Sequence, residues 1–444
     1  MKRRGGKMPS PQARELRHKA RVLRTTLLFW TLAASLLHAQ PIEVKVVAHG
    51  DGFQLLRGGQ PYVVKGAGVV GVNYRTLAER GGNSVRTWGI ETAGRDLDEA
   101  AKNGLTVALG LPVAAERWGM DYDDEEQVVA QRQRVREAVE RYRNHPALLA
   151  WIIGNELNHG MKDGRVYDEV NALSRMIHEL DPNHPTTTAI TAGEEPIEVV
   201  KEHAPDLDFI SIQLYGALAL MPRYADEWFA GRPFMVTEWG PIGHWEANQT
   251  AWGAPVEMDS TAKARRYLDG YRELIEPVLA RGQCLGSYVF LWGQKQERTP
   301  TWYSLFTPSG QPTAAVDAMQ LAWSGQHAPN QAPVIQAMRL DNHTANSNVT
   351  LVAGGHYHAE FTIHDPNGDP LTYRWHLKPE STATTDGGDY EPAIPDIPGL
   401  MDDPTRPTIT LQAPEPGTYR LFAYASDPKG NTAHANIPFR TTGP

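Results

Sequence analysis

The chain has 444 residues, 41% hydrophobic and 21% charged, a balance that excludes a disordered or fibrous protein and leaves room for two folded units. Its formal net charge of -9 argues against nucleic acid or an anionic membrane surface as the main partner and suits a neutral ligand. The single cysteine, Cys284, excludes an internal disulfide, and its apolar setting CLGSYVFLW marks a buried structural thiol rather than a nucleophile.

Residues 1–24 are rich in Lys and Arg and lead into the apolar run TTLLFWTLAASLL, which His38-Ala39-Gln40 closes. That run is too short for a stop-transfer helix and fits the apolar region of a signal peptide spanning 1–39, with cleavage after Ala39 and an alternative start at Met8. No other segment is long and apolar enough to cross a membrane. The expected location is therefore secreted, periplasmic or cell-envelope.

From about residue 60 onward, apolar runs alternate with amphipathic stretches. The expected strands are YVVKGAGVV (62–70), NSVRTWG (83–89), LTVALGLPV (105–113), LLAWIIGNE (148–156), TTTAIT (186–191), DFISIQLY (208–215), FMVTEWG (234–240) and LGSYVFLWG (285–293). Each is apolar nearly throughout, as parallel strands covered on both faces must be. Helices are expected over 125–143, 166–180, 260–281 and 313–323, and the first strand-to-strand helix is short or degenerate because the early strands lie close together. Eight strands alternating with helices give a (β/α)8 TIM barrel over residues 40–325. The Pro, Gln and Asn of SGQHAPNQAP mark a linker at 326–333. Short alternating segments separated by turns such as DPNGDP and DPKG then predict a small all-β, immunoglobulin-like or PKD-like sandwich over 334–444.

Reactive groups of such a barrel stand at the C-terminal ends of its strands. There the second strand ends in Arg86-Thr87-Trp88, the fourth in Asn155-Glu156, the sixth in Gln213-Leu214-Tyr215, the seventh in Thr237-Glu238-Trp239 and the eighth in Trp292-Gly293. Two strands thus deliver carboxylates to one face, and cleavage of a glycosidic bond needs two carboxyl groups. The plainer alternative is that Glu156 and Glu238 are rim ion-pair partners of arginines.

RYRNHPALLAWIIGNELN (141–158) resembles the RNHPS-x-x-x-W-x-x-GNE segment of glycoside hydrolase family 2 barrels, within glycoside hydrolase clan A. NYRTLAERGGNSVRTW (73–88), MVTEWG (235–240) and YSLFTPSGQPTAAVDAM (303–319) are similar to further stretches of such barrels, so the resemblance covers essentially the whole barrel. It implies that Glu156 is the general acid/base and Glu238 the nucleophile of a retaining enzyme, with carboxyl groups about 5–5.5 Å apart. It also implies that Asn155 binds the sugar 2-hydroxyl, Arg86 holds Glu238 ionised, Tyr215 orients Glu238 and Trp292 floors the reacting sugar. Neither metal nor organic cofactor is called for.

Trp88, Trp239 and Trp245 are expected against the substrate, and Trp118, Trp252, Trp302 and Tyr303 also fall in loops on the active-site side. The loop GPIGHWEANQTAWGAP (240–255) is long enough for a wall or lid, with His244 read as a surface residue. DYDDEE (121–126) is read as an acidic helix start, and Asp365, Asn367 and Asp369 as turn formers rather than calcium ligands. The expected function is hydrolysis, or transfer, of a β-linked polysaccharide such as a β-glucan or β-mannan. The alternative, a non-catalytic glycan-binding or adhesion surface protein on a barrel scaffold, has no need of both carboxylates. The sequence fixes no oligomeric state.

Overall fold

The computed structural model describes residues 41–384 and 387–443. The signal segment expected at 1–39 lies outside the described residues. The first described elements are an antiparallel set, β1 (Val44–His49), β2 (Gly52–Arg57) and β3 (Gln60–Pro61). Its backbone bonds to Asn183 and Gly282, and its Arg57 to Pro146, all just ahead of barrel strands, so it seals the end opposite the strand C-termini. Val44 and Leu55 bury their side chains there beside Val64, Leu149 and Met235.

Eight parallel strands follow and close on themselves: β4 (Val64–Gly68), β5 (Ser84–Arg86), β6 (Thr106–Leu111), β7 (Leu148–Asn155), β8 (Thr186–Ile190), β9 (Ile210–Leu214), β10 (Phe234–Trp239) and β11 (Cys284–Val289). All eight coincide with the expected apolar runs. Side chains facing the barrel interior are sealed by their neighbours, and those facing outward are sealed by helices, so both faces must be apolar. The first crossover helix, α1 (Tyr74–Glu79), is a turn and a half long, as the close spacing of the early strands requires.

Three of the later helices begin at a side-chain cap. Asp124 accepts from the backbone N–H of Glu126 and Gln127 to open α2 (Glu125–Tyr142), which makes DYDDEE a helix start. Asp259 likewise opens α3 (Ser260–Asp269), and Thr313 opens α4 (Ala314–Ser324). The expected helix over 260–281 continues past α3 as a π-helical stretch, Gly270–Ile275, and a further helix, Glu276–Ala280.

After α4 the chain forms two sheets that share one apolar core. One contains β12 (Val334–Leu340), β14 (His356–His364) and β16 (Thr408–Gln412); the other contains β13 (Val349–Val352), β15 (Thr372–Pro379), β17 (Gly417–Ser426) and β18 (Thr432–Thr442). Trp375, Phe361, Leu411 and Phe439 fill the space between them. In the DPNGDP turn, Asp365 Oδ1 accepts from the backbone N–H of Asn367 and Asp369, the part of a turn former. The stretch between α4 and β12 is pinned to both units: Ala332 N donates to Asp317, and Asn330 Nδ2 donates to Asp427.

The two sheets dock on the barrel through a buried polar seam. Lys263 on α3 reaches Glu257 at 2.5 Å, and Glu257 also accepts from Thr299 and from Asn436 of β18, both at 2.6 Å. Lys263 and Glu257 are 3% and 5% exposed, so neither charge has water to turn to.

Candidate active site

The carboxylate of Glu238 lies at the mouth of the barrel, and four donors hold it. Arg86 Nη1 (2.6 Å), Trp88 Nε1 (2.9 Å) and Gln213 Nε2 (3.0 Å) all reach Oε1, and the Tyr215 hydroxyl reaches Oε2 at 2.7 Å. Guanidinium and indole N–H groups can only donate, so these contacts fix the carboxylate oxygens as acceptors and hold the side chain in one orientation. Arg86 is 1% exposed, beneath the site, with its charge also over the Trp88 ring at 5.1 Å. It positions the site from below and lines neither of the cavities described next, so it acts on the substrate only through its neighbours.

Asn155 is held from the same side. Its Oδ1 accepts from Arg86 Nη2 and from Gln213 Nε2, the latter at 2.7 Å. Both partners are donors, which fixes the amide orientation and leaves the NH2 end to donate elsewhere. The next residue, Glu156, has the left-handed backbone φ of 49°, uncommon outside glycine, which turns its side chain out of the strand direction. No hydrogen bond to the Glu156 carboxyl group is formed among the described residues. Burial and, next, the negative Glu238 raise its pKa well above the usual carboxylate range, against the pull of Arg86 and Arg117. Tyr215 is pushed up as well, by burial and then by the charge of Glu238, so it stays a hydrogen-bond donor. Two glutamates share one site, one surrounded by donors and one without them.

Two cavities meet at this pair. The smaller, about 320 Å3, is lined by Glu238, Glu156, Asn155, Trp88, Phe290 and Tyr303, among others. The larger, about 790 Å3, is lined by Glu156, Gln213, Tyr215, Trp245, Gln249 and Trp252 on its barrel side. Trp245 borders both and is half exposed, and Trp118 at the rim is 57% exposed.

Glu156, Glu238, Asn155, Arg86, Tyr215, Trp88 and Trp245 are therefore brought together as the sequence suggested. Trp239 and Trp292 are not. Trp239 is 1% exposed and packs on Tyr267 and Tyr271 in the helical layer. Successive strand residues point to opposite faces, so once Glu238 faces the mouth, Trp239 must face outward. Trp292 lies past the end of β11, wholly buried against Phe306 and Trp323, and donates to the Asn73 carbonyl. Phe290 stands in the cavity instead, edge-on to Trp88 at 5.6 Å between ring centres. His244 is not a surface residue either: it is 5% exposed and lies 3.5 Å from Glu297. Trp302 is a loop-core residue whose Nε1 donates to the Ile242 carbonyl.

Sequence reasoning missed the roles of Gln213, Phe290, Lys295 and Glu297. Gln213 was visible as the polar end of an apolar strand. Lys295 and Glu297, 2.5 Å apart at the edge of the smaller cavity, follow the last strand in a loop without a recognisable pattern.

Residues 96–241, which include both glutamates, match the model described as glycosyl hydrolases family 2, TIM barrel domain. Over that segment the barrel resembles the catalytic TIM barrel of family 2 glycosyl hydrolases. A curated relative, mannan endo-1,4-beta-mannosidase F of Aspergillus clavatus, is 33% identical over 103 residues, which are 19% of this chain and 23% of that protein. Among solved structures, the chain is similar to the beta-D-glucuronidase of Dictyoglomus thermophilum, with a TM-score of 0.50 at 18% identity over 64% of this chain and 54% of that one. The beta-glucuronidase of Bifidobacterium dentium gives a TM-score of 0.50 at 19% identity, covering 64% of this chain and 49% of that one. The chain spans about half the length of these solved proteins and under a quarter of the curated relative. At such identities the structural likeness speaks to the barrel fold alone.

The four-donor cage around Glu238 can be tested directly. Tyr215→Phe removes one of the four donors while keeping the ring packed against Trp245 and Tyr303. The expected result is a kcat lower by about 10- to 100-fold with the melting temperature little changed. Unchanged kcat would mean that Tyr215 does not orient Glu238.

Proposed function

We propose that this protein is a retaining β-glycoside hydrolase acting on a β-linked polysaccharide such as a β-glucan or β-mannan, with transfer to a second sugar as an alternative end to the same cycle. The single observation that carries the reading is the opposed setting of two glutamates on one cavity: Glu238 held by four donors, and Glu156, largely removed from water, with no hydrogen bond to its carboxyl group among the described residues. Glu238 would attack the anomeric carbon while Glu156 protonates the departing oxygen, giving a glycosyl ester of Glu238 and a free leaving sugar. Forming that ester removes the negative charge of Glu238, and with it one of the causes that hold the proton on Glu156. Glu156 is then free to take a proton from water, or from an acceptor hydroxyl, as it attacks the ester. The free NH2 of Asn155 would donate to the sugar 2-hydroxyl, and Arg86 and Tyr215 would keep Glu238 in place.

A polymeric β-linked substrate is supported by the exposed indoles of Trp118 and Trp245 along the mouth, which offer stacking faces for successive sugars. The partial match to an endo-acting mannosidase points the same way. The basic and apolar N-terminal pattern adds an export route to where such polymers are met. Incubation with a panel of β-glucans and β-mannans tests the reading: new oligosaccharides and reducing ends are expected. Saccharide binding with no product on any member would favour the non-catalytic glycan-binding alternative.

The pH profile follows from the same carboxyl group. Glu156 acts as an acid, so kcat/KM must fall as pH rises through its pKa in the free enzyme. Because burial and the charge of Glu238 hold its proton, this basic limb is expected well above the carboxylate range. A basic limb near 4.5, the ordinary value for this group, would contradict the assignment.

A further inference from the structure

The larger cavity is not bounded by the barrel alone. Its far side is lined by Ser381, Ala383, Thr384 and Gly387, which follow β15, and by Thr418 at the start of β17. These residues are fixed to barrel loops at both ends. On one side Arg420, 1% exposed, pairs with Glu380 at 2.8 Å and donates to the Pro255 carbonyl at 2.7 Å. On the other, Glu391 accepts from the Arg298 backbone N–H at 2.7 Å, and Asp389 lies 3.6 Å from Arg117. Between these anchors Gly387 sits against the indole of Trp245. A β-carbon there would fall 2.7 Å from a ring carbon, so the close approach requires glycine.

The two cavities differ in which glutamate they touch. Glu238 lines only the smaller, while Glu156 lines both. In the glycosidase reading, on which this inference rests, the sugar under attack occupies the smaller cavity and the leaving group passes Glu156 into the larger one. We propose that the C-terminal sheet pair builds one wall of the leaving-group subsite, so that Ser381 and Thr384, which line the larger cavity and not the smaller, help to select the sugar on that side of the scissile bond. The same wall would hold the sugar acceptor when the glycosyl ester is resolved by transfer. The chemistry suits one pyranose ring: Ser381 and Thr384 line the space on the module side and Gln249 on the barrel side, with the Trp245 and Trp252 indoles available as apolar faces.

Thr384→Trp fills this space, and Thr384→Ser keeps its hydroxyl. The readout is the ratio of kcat/KM for a β-1,4-linked gluco- or manno-oligosaccharide to kcat/KM for the matching glycosyl fluoride, whose leaving group needs no such subsite. The ratio is expected to fall about tenfold or more in Thr384→Trp, chiefly through KM, and to return towards the original value in Thr384→Ser. An unchanged ratio in Thr384→Trp overturns the proposal. If the unsubstituted protein turns over neither substrate, the hydrolase reading fails separately, and the wall is judged from calorimetric titration with the same oligosaccharides. Affinity about tenfold weaker in Thr384→Trp supports the wall, and equal affinity, or no saccharide binding at all, overturns it.

Discussion

Glu238→Gln is expected to lower kcat by at least about four orders of magnitude while the protein still folds, because in the proposed mechanism it replaces the attacking atom and little else. Glutamine keeps the shape of the side chain and an acceptor oxygen for Arg86, Trp88 and Gln213. What it lacks is the negative charge that, in the proposed mechanism, would bond to the anomeric carbon. The competing view, that Glu238 is only the ion-pair partner of buried Arg86, predicts the reverse: lost thermal stability and retained turnover. Azide separates the two further. In Glu238→Gly, azide entering the vacated space would attack the same face of the sugar and yield an α-glycosyl azide from a β-linked substrate. Activity in Glu238→Gln close to that of the unsubstituted protein would remove Glu238 from the mechanism.

The second large effect concerns stability. Lys263→Met should destabilise the protein by about 3–5 kcal/mol, since it strands the Glu257 charge in a seam that water does not reach. Replacing both, Lys263→Met with Glu257→Leu, should recover most of that loss, because the cost lies in the unpaired charge rather than in the missing pair. Melting temperatures of the two variants check this; equal losses would contradict it. Acid should loosen the same seam. Burial works against a charged Glu257, yet Lys263 and hydrogen bonds bring its pKa down from 4.5 to about 2. A lowered folded value means stability that is present above 4.5 and lost as pH falls from there towards 2. His434, buried beside Lys263, is lowered from 6.5 to about 3 and loses stability over that interval in the same direction. The melting temperature is therefore expected to fall steadily from pH 6.5 downward, and less steeply in the double variant.

How far the sequence foretold this molecule depends on how local each signal is. The eight barrel strands were legible because both their faces are buried, which writes an uninterrupted apolar run into each. The hairpin β1–β2 was not, since VKVVAH and GFQLLR mix polar and apolar residues and gain their meaning only by sealing the barrel's lower end. Glu156 and Glu238 were legible from their positions at strand ends. The neighbours Trp239 and Trp292 were misread because lying near a strand end does not say which face a side chain takes. Alternation settles Trp239, but the chain leaves the strand before Trp292, and there only the packing of Phe306 and Trp323 decides. The module residues at the cavity were out of reach altogether. Gly387 meets Trp245 across 142 positions of sequence, and nothing in either segment announces the other.

The central claim is that Glu238 carries the sugar. Treatment with a 2-deoxy-2-fluoro-β-glycosyl fluoride, whose second step is slow, followed by intact mass and peptide mapping, tests it most directly. The account predicts one added sugar, on the peptide containing Glu238, together with β-configured product from the natural β-linked substrate. No adduct, with α-configured product from an otherwise active protein, would contradict it.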